Sequence, residues 1–162
     1  MKIVLIGFMG AGKTSVADVL SKKSGLEKIE MDDLVVKKSK RKNVSEIFSK
    51  DGETRFRELE IEISKGLRKK DQVVISTGGG VVMNKINIDY LRENGLVIFL
   101  KTSYGTILKR IGHDDNRPLF RDKIKAKKLF SLRKKLYEEY CDYVVETDKL
   151  SVLEIVNFCH LL

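Results

Sequence analysis

Short apolar runs punctuate this chain and set its plan. Ile3 to Ile6, Val73-Val74-Ile75, Leu96 to Leu100 and Tyr143-Val144-Val145 are each too short for a helix and largely unbroken by polar residues. Runs of that kind predict strands buried on both faces. A further short strand is expected around Lys28 to Met31, with helix from Leu34 onward. Between the runs the apolar period lengthens to that of helices. Phe56, Leu59, Ile63 and Leu67 recur at helical spacing after Asp51-Gly52, and a shorter helix is expected over Val44 to Phe48. Ile88 with Leu91, then Ile107-Leu108, mark two more helices. Ala126, Leu129, Phe130, Tyr137 and Tyr140 share one face of another, and Ser151 with Glu154 forms a capping box before Val152, Ile155, Val156 and Cys159. Ser24-Gly25 and Gly95 read as helix stops, Gly95 as a left-handed cap. Residues 113–123 have no apolar period and carry Asp114-Asp115-Asn116-Arg117-Pro118, which predicts a mobile loop. Strands alternating with helices predict an α/β fold with a parallel sheet, whose ligands sit beyond the carboxyl ends of the strands.

Composition narrows the class. With 162 residues, 42% hydrophobic and 34% charged, the chain has the length and balance of one soluble domain, spanning 1–162. No apolar run approaches the roughly 18 residues of a membrane span, and with the first strand expected from the outset no leader peptide is expected. Cys141 and Cys159 lack C-x-x-C spacing, so neither a disulfide framework nor a zinc site is expected, and a reducing cytoplasm suits them. His113 and His160 show no ligand pattern. The net charge of +9 is spread through runs such as Lys37-Lys38 and Lys127-Lys128, which read as solvated helix faces. No aromatic-interleaved motif accompanies them, so nucleic acid is not the expected partner. A basic surface also draws in polyanionic nucleotides and acidic small molecules.

The chemistry starts where the first strand ends. Gly7, Gly10, Gly12, Lys13 and Thr14 fit G-x-x-x-x-G-K-[ST] between a strand and a helix beginning near Ser15. Glycines allow the backbone N–H groups to close on phosphate oxygens, and the helix N-terminus favours negative charge. Gly10, Ala11, Gly12, Lys13, Thr14 and Ser15 are thus expected to hold a nucleoside triphosphate, Lys13 on its β- and γ-phosphates and Thr14 on Mg²⁺. There is no Asn-Lys-x-Asp guanine signature, and the chain is small for a motor ATPase. Arg133 falls on an otherwise apolar helix face, four residues from Leu129 and from Tyr137, where an arginine is costly unless it meets an anion. Arg57 and Glu60, three apart, share a helix face.

Taken together these segments resemble the shikimate kinases, nearly end to end. The resemblance rests on Gly7 to Thr14, on Gly52-Glu53 with Phe56-Arg57 and Glu60, and on Ser76-Thr77-Gly78-Gly79-Gly80. Arg117-Pro118-Leu119 and Arg133 with Leu136-Tyr137 complete it. It implies a P-loop, nucleoside-monophosphate-kinase-like three-layer sandwich around a five-stranded parallel sheet. It also implies transfer of the γ-phosphoryl of ATP to the 3-hydroxyl of shikimate, by a monomer. By the same resemblance Arg57 and Arg133 hold the substrate carboxylate, Glu60 steadies Arg57, and Gly78, Gly79 and Gly80 line the shikimate pocket. Arg110 stacks on adenine, and Arg117 closes onto the phosphates from a lid over 113–123. Lys13, Mg²⁺ and Arg117 would supply the positive charge that phosphoryl transfer needs.

One segment departs from the family's Asp-x-Asp signature. Here it reads Glu30-Met31-Asp32-Asp33. Matching Ile29 to the family's preceding apolar residue makes Glu30 the metal-side acid and Asp32 the base on the acceptor hydroxyl. Counting back without a gap from Ile47-Phe48 gives Met31 and Asp33 instead. The first register keeps an acid at both positions and is preferred; it places one extra residue within 37–43. Two other readings stay open: a kinase for another polyol acid such as gluconate, and a non-catalytic shikimate-kinase-like binding protein.

Overall fold

A computed structural model describes residues 1–111 and 122–161. Five strands form one parallel sheet: β1 (Lys2–Ile6), β2 (Glu27–Glu30), β3 (Val73–Ser76), β4 (Leu96–Lys101) and β5 (Tyr143–Glu146). Their order across the sheet is β2-β3-β1-β4-β5. Leu5 pairs with Ser76 and with Ile98, and Glu30 pairs with Ser76, so the carboxyl ends of β1, β2 and β3 finish level. The fold class and strand number read from the sequence hold.

The alternation of side chains along β1 builds the layers. Ile3 and Leu5 point into a core shared with Val16, Ala17 and Leu20 of α1 (Lys13–Ser24) and Ile155, Val156 and Cys159 of α8 (Val152–His160). Val4 and Ile6 point the other way, into a core with Leu67 of α4 (Gly52–Leu67), Ile88 and Leu91 of α5 (Lys85–Arg92), Ile107 of α6 (Tyr104–Ile111) and Tyr137 of α7 (Lys123–Tyr140). A smaller cluster of Val35, Ile47, Phe56 and Leu59 ties α2 (Met31–Ser39) and α3 (Val44–Lys50) to α4. Both faces of the sheet are covered at β1, β3 and β4, which explains why those strands carry unbroken apolar runs, whereas the edge strand β2 is mostly charged.

Details of the ends differ from the sequence reading. Met31 opens α2 rather than closing a strand, so Asp32 and Asp33 lie in the first helical turn, where carboxylates favour the positive end of the helix dipole. Gly25 caps α1 in the left-handed conformation as expected. Gly95 does not cap α5: the left-handed residue is Asn94, whose short polar side chain tolerates that region. Glycine at 95 answers a packing need instead, because a Cβ there would stand 2.8 Å from Cε of the buried Lys2. Lys123 belongs to α7, capped by the Asp122 carboxylate, which accepts from the backbone N–H groups of Ile124 and Lys125. The capping box of Ser151 and Glu154 is present. The rest of the loop expected over 113–123, with Arg117 and His113, lies outside the described residues.

Candidate active site

The phosphate loop leaves β1 at Gly7 and enters α1 through Gly12, whose φ of 91° few other residues could hold. Lys13 is folded back over the loop, its Nζ donating to the carbonyl oxygens of Gly7 at 2.8 Å and Phe8 at 3.0 Å. Thr14 follows, exposed at the helix N-terminus. Because the strands end level, Glu30 and the glycine turn after β3 face this loop across a cleft of about 560 Å³. Lys13, Thr14, Glu30, Asp32, Gly78 and Gly79 all line it. Val44 and Ser45 at the start of α3 line it as well, and the sequence reading missed them. They looked like an ordinary helix start, with no chemical signal of their own.

Asp32 and Asp33 part company here. Successive helix residues point about 100° apart, and the outcome is that Asp32 enters the cleft while Asp33 is exposed to solvent. Met31, the metal-side candidate of the ungapped register, is buried in the core. Burial pushes the Asp32 carboxyl above its ordinary value; Lys13 opposes that shift, and Glu30 adds to it. One of its oxygens is buried with no hydrogen-bond partner, and so is one oxygen of Glu30.

The glycine turn is where the two groups of site residues meet. A Cβ on Gly78 would stand 2.7 Å from Asp32 Oδ1 and 3.4 Å from Glu60 Oε1. One on Gly80 would collide with the Arg57 guanidinium. Arg57 pairs with Glu60 and, at 3.2 Å, with Glu53, and its guanidinium lies over the Phe56 ring. Burial raises the pKa of Glu60, while Arg57 pulls it down. Arg133 is only 7% exposed, with its guanidinium over the Phe8 ring and its Nε without a partner. Desolvation lowers its pKa, as does Arg57, whereas Tyr137 and Glu60 support the charge. The Tyr137 hydroxyl, one turn further along α7, donates to the Gly79 carbonyl oxygen at 2.5 Å. That contact was not legible in the sequence, where Tyr137 read only as core.

Space at these glycines is a testable requirement. Gly80→Ala should displace Arg57 and raise the KM for the acceptor, with the KM for nucleotide little changed. Steady-state kinetics with each substrate varied in turn would show it, and an equal change in both KM values would contradict the placement.

Arg110 sits on the opposite side of the loop. It is within weak hydrogen-bonding distance of the Ala11 carbonyl oxygen at 3.3 Å and the Thr147 carbonyl oxygen at 3.4 Å. With Gly12, Ser15, Leu150 and Val152 it walls a smaller recess of about 190 Å³. The apolar wall of Leu150 and Val152 is another feature the sequence reading did not foresee: Val152 read as part of the helix face behind the capping box, and Leu150 carried no signal.

By its sheet order and the placing of its phosphate loop, this is a P-loop α/β kinase. Comparison with known proteins narrows it further. The family model for shikimate kinase matches residues 9–160. A shikimate kinase of Caldicellulosiruptor bescii is 41% identical over 152 residues, covering 92% of this chain and 87% of that protein. One from Thermodesulfovibrio yellowstonii is 40% identical over 158 residues, covering 96% and 90%. Among solved structures, a shikimate kinase from Acinetobacter baumannii in complex with shikimate superposes with a TM-score of 0.90 at 31% identity, covering 98% of this chain and 90% of that one. The Aquifex aeolicus shikimate kinase gives 0.87 at 34% identity, covering 99% and 95%. The chain belongs to the shikimate kinase family.

Proposed function

We propose that this protein transfers the γ-phosphoryl group of ATP to the 3-hydroxyl of shikimate, giving ADP and shikimate 3-phosphate. The observation that carries the reading is the glycine turn, which sets Asp32 and the Arg57–Glu60 pair around one point facing Lys13. Residues 1–162 act as one domain. Gly10 to Ser15 cradle the phosphates, and Arg110, beside the apolar Leu150 and Val152, takes the adenine. Lys13 exchanges its two carbonyl partners for β- and γ-phosphate oxygens, a charge-assisted and therefore stronger pairing. Arg57 and Arg133 bind the shikimate carboxylate; the unpartnered Nε of Arg133 is a buried donor that a carboxylate would satisfy. Asp32 accepts the proton of the 3-hydroxyl as its oxygen bonds to the γ-phosphorus, and the bond to the bridging oxygen of ADP breaks. Arg117, which lies outside the described residues, would complete the positive charge around the migrating group.

A divalent cation fits the residues present. Thr14 and Glu30 offer hard oxygen donors in one cleft, and Glu30 Oε1 is buried with a cationic group, the Lys28 ammonium, already drawn to it. Among the described residues no cluster of three or more His, Cys, Asp or Glu could hold a metal alone. Mg²⁺ keeps waters and takes substrate phosphates as ligands, so one or two protein oxygens suffice. When bound, Mg²⁺ would neutralise charge developing on the β- and γ-oxygens. No helix among the described residues is long and apolar enough to cross a membrane. The reading is of a cytoplasmic monomer that does not engage nucleic acid.

A coupled ADP-release assay tests the substrate. Shikimate should support turnover with Mg²⁺-ATP, and gluconate should give only the background rate. Equal rates with both acids would move the protein to a broader polyol-acid kinase; no ADP release with either, despite normal ATP binding, would leave a binding protein.

A further inference from the structure

Glu30 does not face the cleft unaccompanied. Lys28 lies two residues before it on β2, so both side chains leave the same face of the strand. The Lys28 ammonium stands 3.2 Å from Glu30 Oε1 and 2.6 Å from Asp18 Oδ1. Asp18 is on α1, one helical turn after Thr14, and so shares a helix face with it. The two oxygen donors assigned to the cation are therefore flanked by an Asp18–Lys28–Glu30 chain running beside them. The stronger contact of Lys28 is with Asp18. Glu30 shares the same ammonium at the longer distance.

We infer that Lys28 is a positioning residue that sets how tightly the site takes a divalent cation, competing for the Glu30 carboxylate while Asp18 holds it in reserve. The inference rests on the metal-side role proposed for Glu30. A cation arriving at Thr14 and Glu30 meets a like charge already on that carboxylate. Because Lys28 has Asp18 as its nearer partner, Glu30 can turn to the cation without leaving a bare ammonium behind. Removing Lys28 frees Glu30 entirely. Removing the Asp18 charge commits Lys28 to Glu30 and takes a negative charge from the neighbourhood. The two substitutions therefore act in opposite directions, and both effects vanish once Glu30 is replaced by Gln; through-space charge alone would give the first result but not the second.

The test is calorimetric titration of Mg²⁺ into protein saturated with ADP. Lys28→Met should tighten the cation by roughly two- to fivefold, the range in which partly exposed ion pairs act. Asp18→Asn should weaken it by a similar factor, and Lys28→Arg should remain close to the unaltered protein. Shikimate affinity should stay constant throughout. If Glu30→Gln leaves cation affinity unchanged, the metal role of Glu30 fails and this inference fails with it. If Glu30→Gln weakens the cation but the Lys28 and Asp18 variants shift together or not at all, the inference alone is overturned.

Discussion

Asp32→Asn should lower turnover by roughly 10²–10⁴, the span that a positioned general base contributes. The substitution is nearly isosteric and removes only the ability to take the hydroxyl proton. ATP affinity should be almost intact, because the phosphates are held by the loop from Gly10 to Ser15. Asp33→Asn should cost little, since Asp33 is exposed and Asp32 lines the cleft. Saturating substrates keep a binding defect from posing as a chemical one. In the unaltered protein the acid limb of kcat/KM should lie above the ordinary carboxylate range, because burial holds the Asp32 proton more tightly. The same shift bears on stability. A carboxyl whose pKa is raised by folding contributes stability below its unfolded value, and that contribution is lost as pH rises through the folded value. At neutral pH the buried carboxylate is therefore a burden, and Asp32→Asn should melt at the same temperature as the unaltered protein or higher. A dead Asp33→Asn beside an active Asp32→Asn would reinstate the ungapped register.

Arg133→Met should weaken shikimate by roughly 10- to 150-fold, the equivalent of one charge-assisted hydrogen bond, and leave ATP nearly unaffected. Methionine keeps an unbranched apolar stem over the Phe8 ring, so packing is largely conserved. The free protein should not lose stability. Arg133 is desolvated, has Arg57 for a charged neighbour, and keeps a buried Nε without a partner, so its charge is a cost until an anion arrives. Calorimetry with shikimate and a thermal melt without ligand separate the alternatives. Unchanged shikimate affinity with a lowered melting temperature would make Arg133 a structural cation.

The reason Arg133 was legible is the reason it is expensive. A lone cation on an apolar helix face contradicts the pattern around it, and such contradictions show in sequence. The same holds for Gly7 to Thr14, where glycine spacing and a lysine follow from what a polyphosphate needs. The strands were equally plain, because a parallel sheet covered on both faces demands continuous apolar runs. Contacts made by ordinary residues in unexceptional settings were not legible. Tyr137 reads as core whether or not its hydroxyl reaches the Gly79 carbonyl, and Val152 reads as the apolar face behind a cap. Gly95 and Asn94 were exchanged because glycine is the usual left-handed residue, whereas here the packing of Lys2 claims the glycine. The acid register depended on where α2 begins, and only the helix start at Met31 separates the directions of Asp32 and Asp33.

The central claim is the identity of the phosphorylated atom. Purified protein with Mg²⁺-ATP and shikimate should yield one new phosphate monoester beside ADP, and ³¹P–¹H correlation NMR of the unfractionated reaction should couple that monoester phosphorus to the proton on carbon 3. Coupling to another ring proton, or inorganic phosphate as the only product beside ADP, would contradict the account.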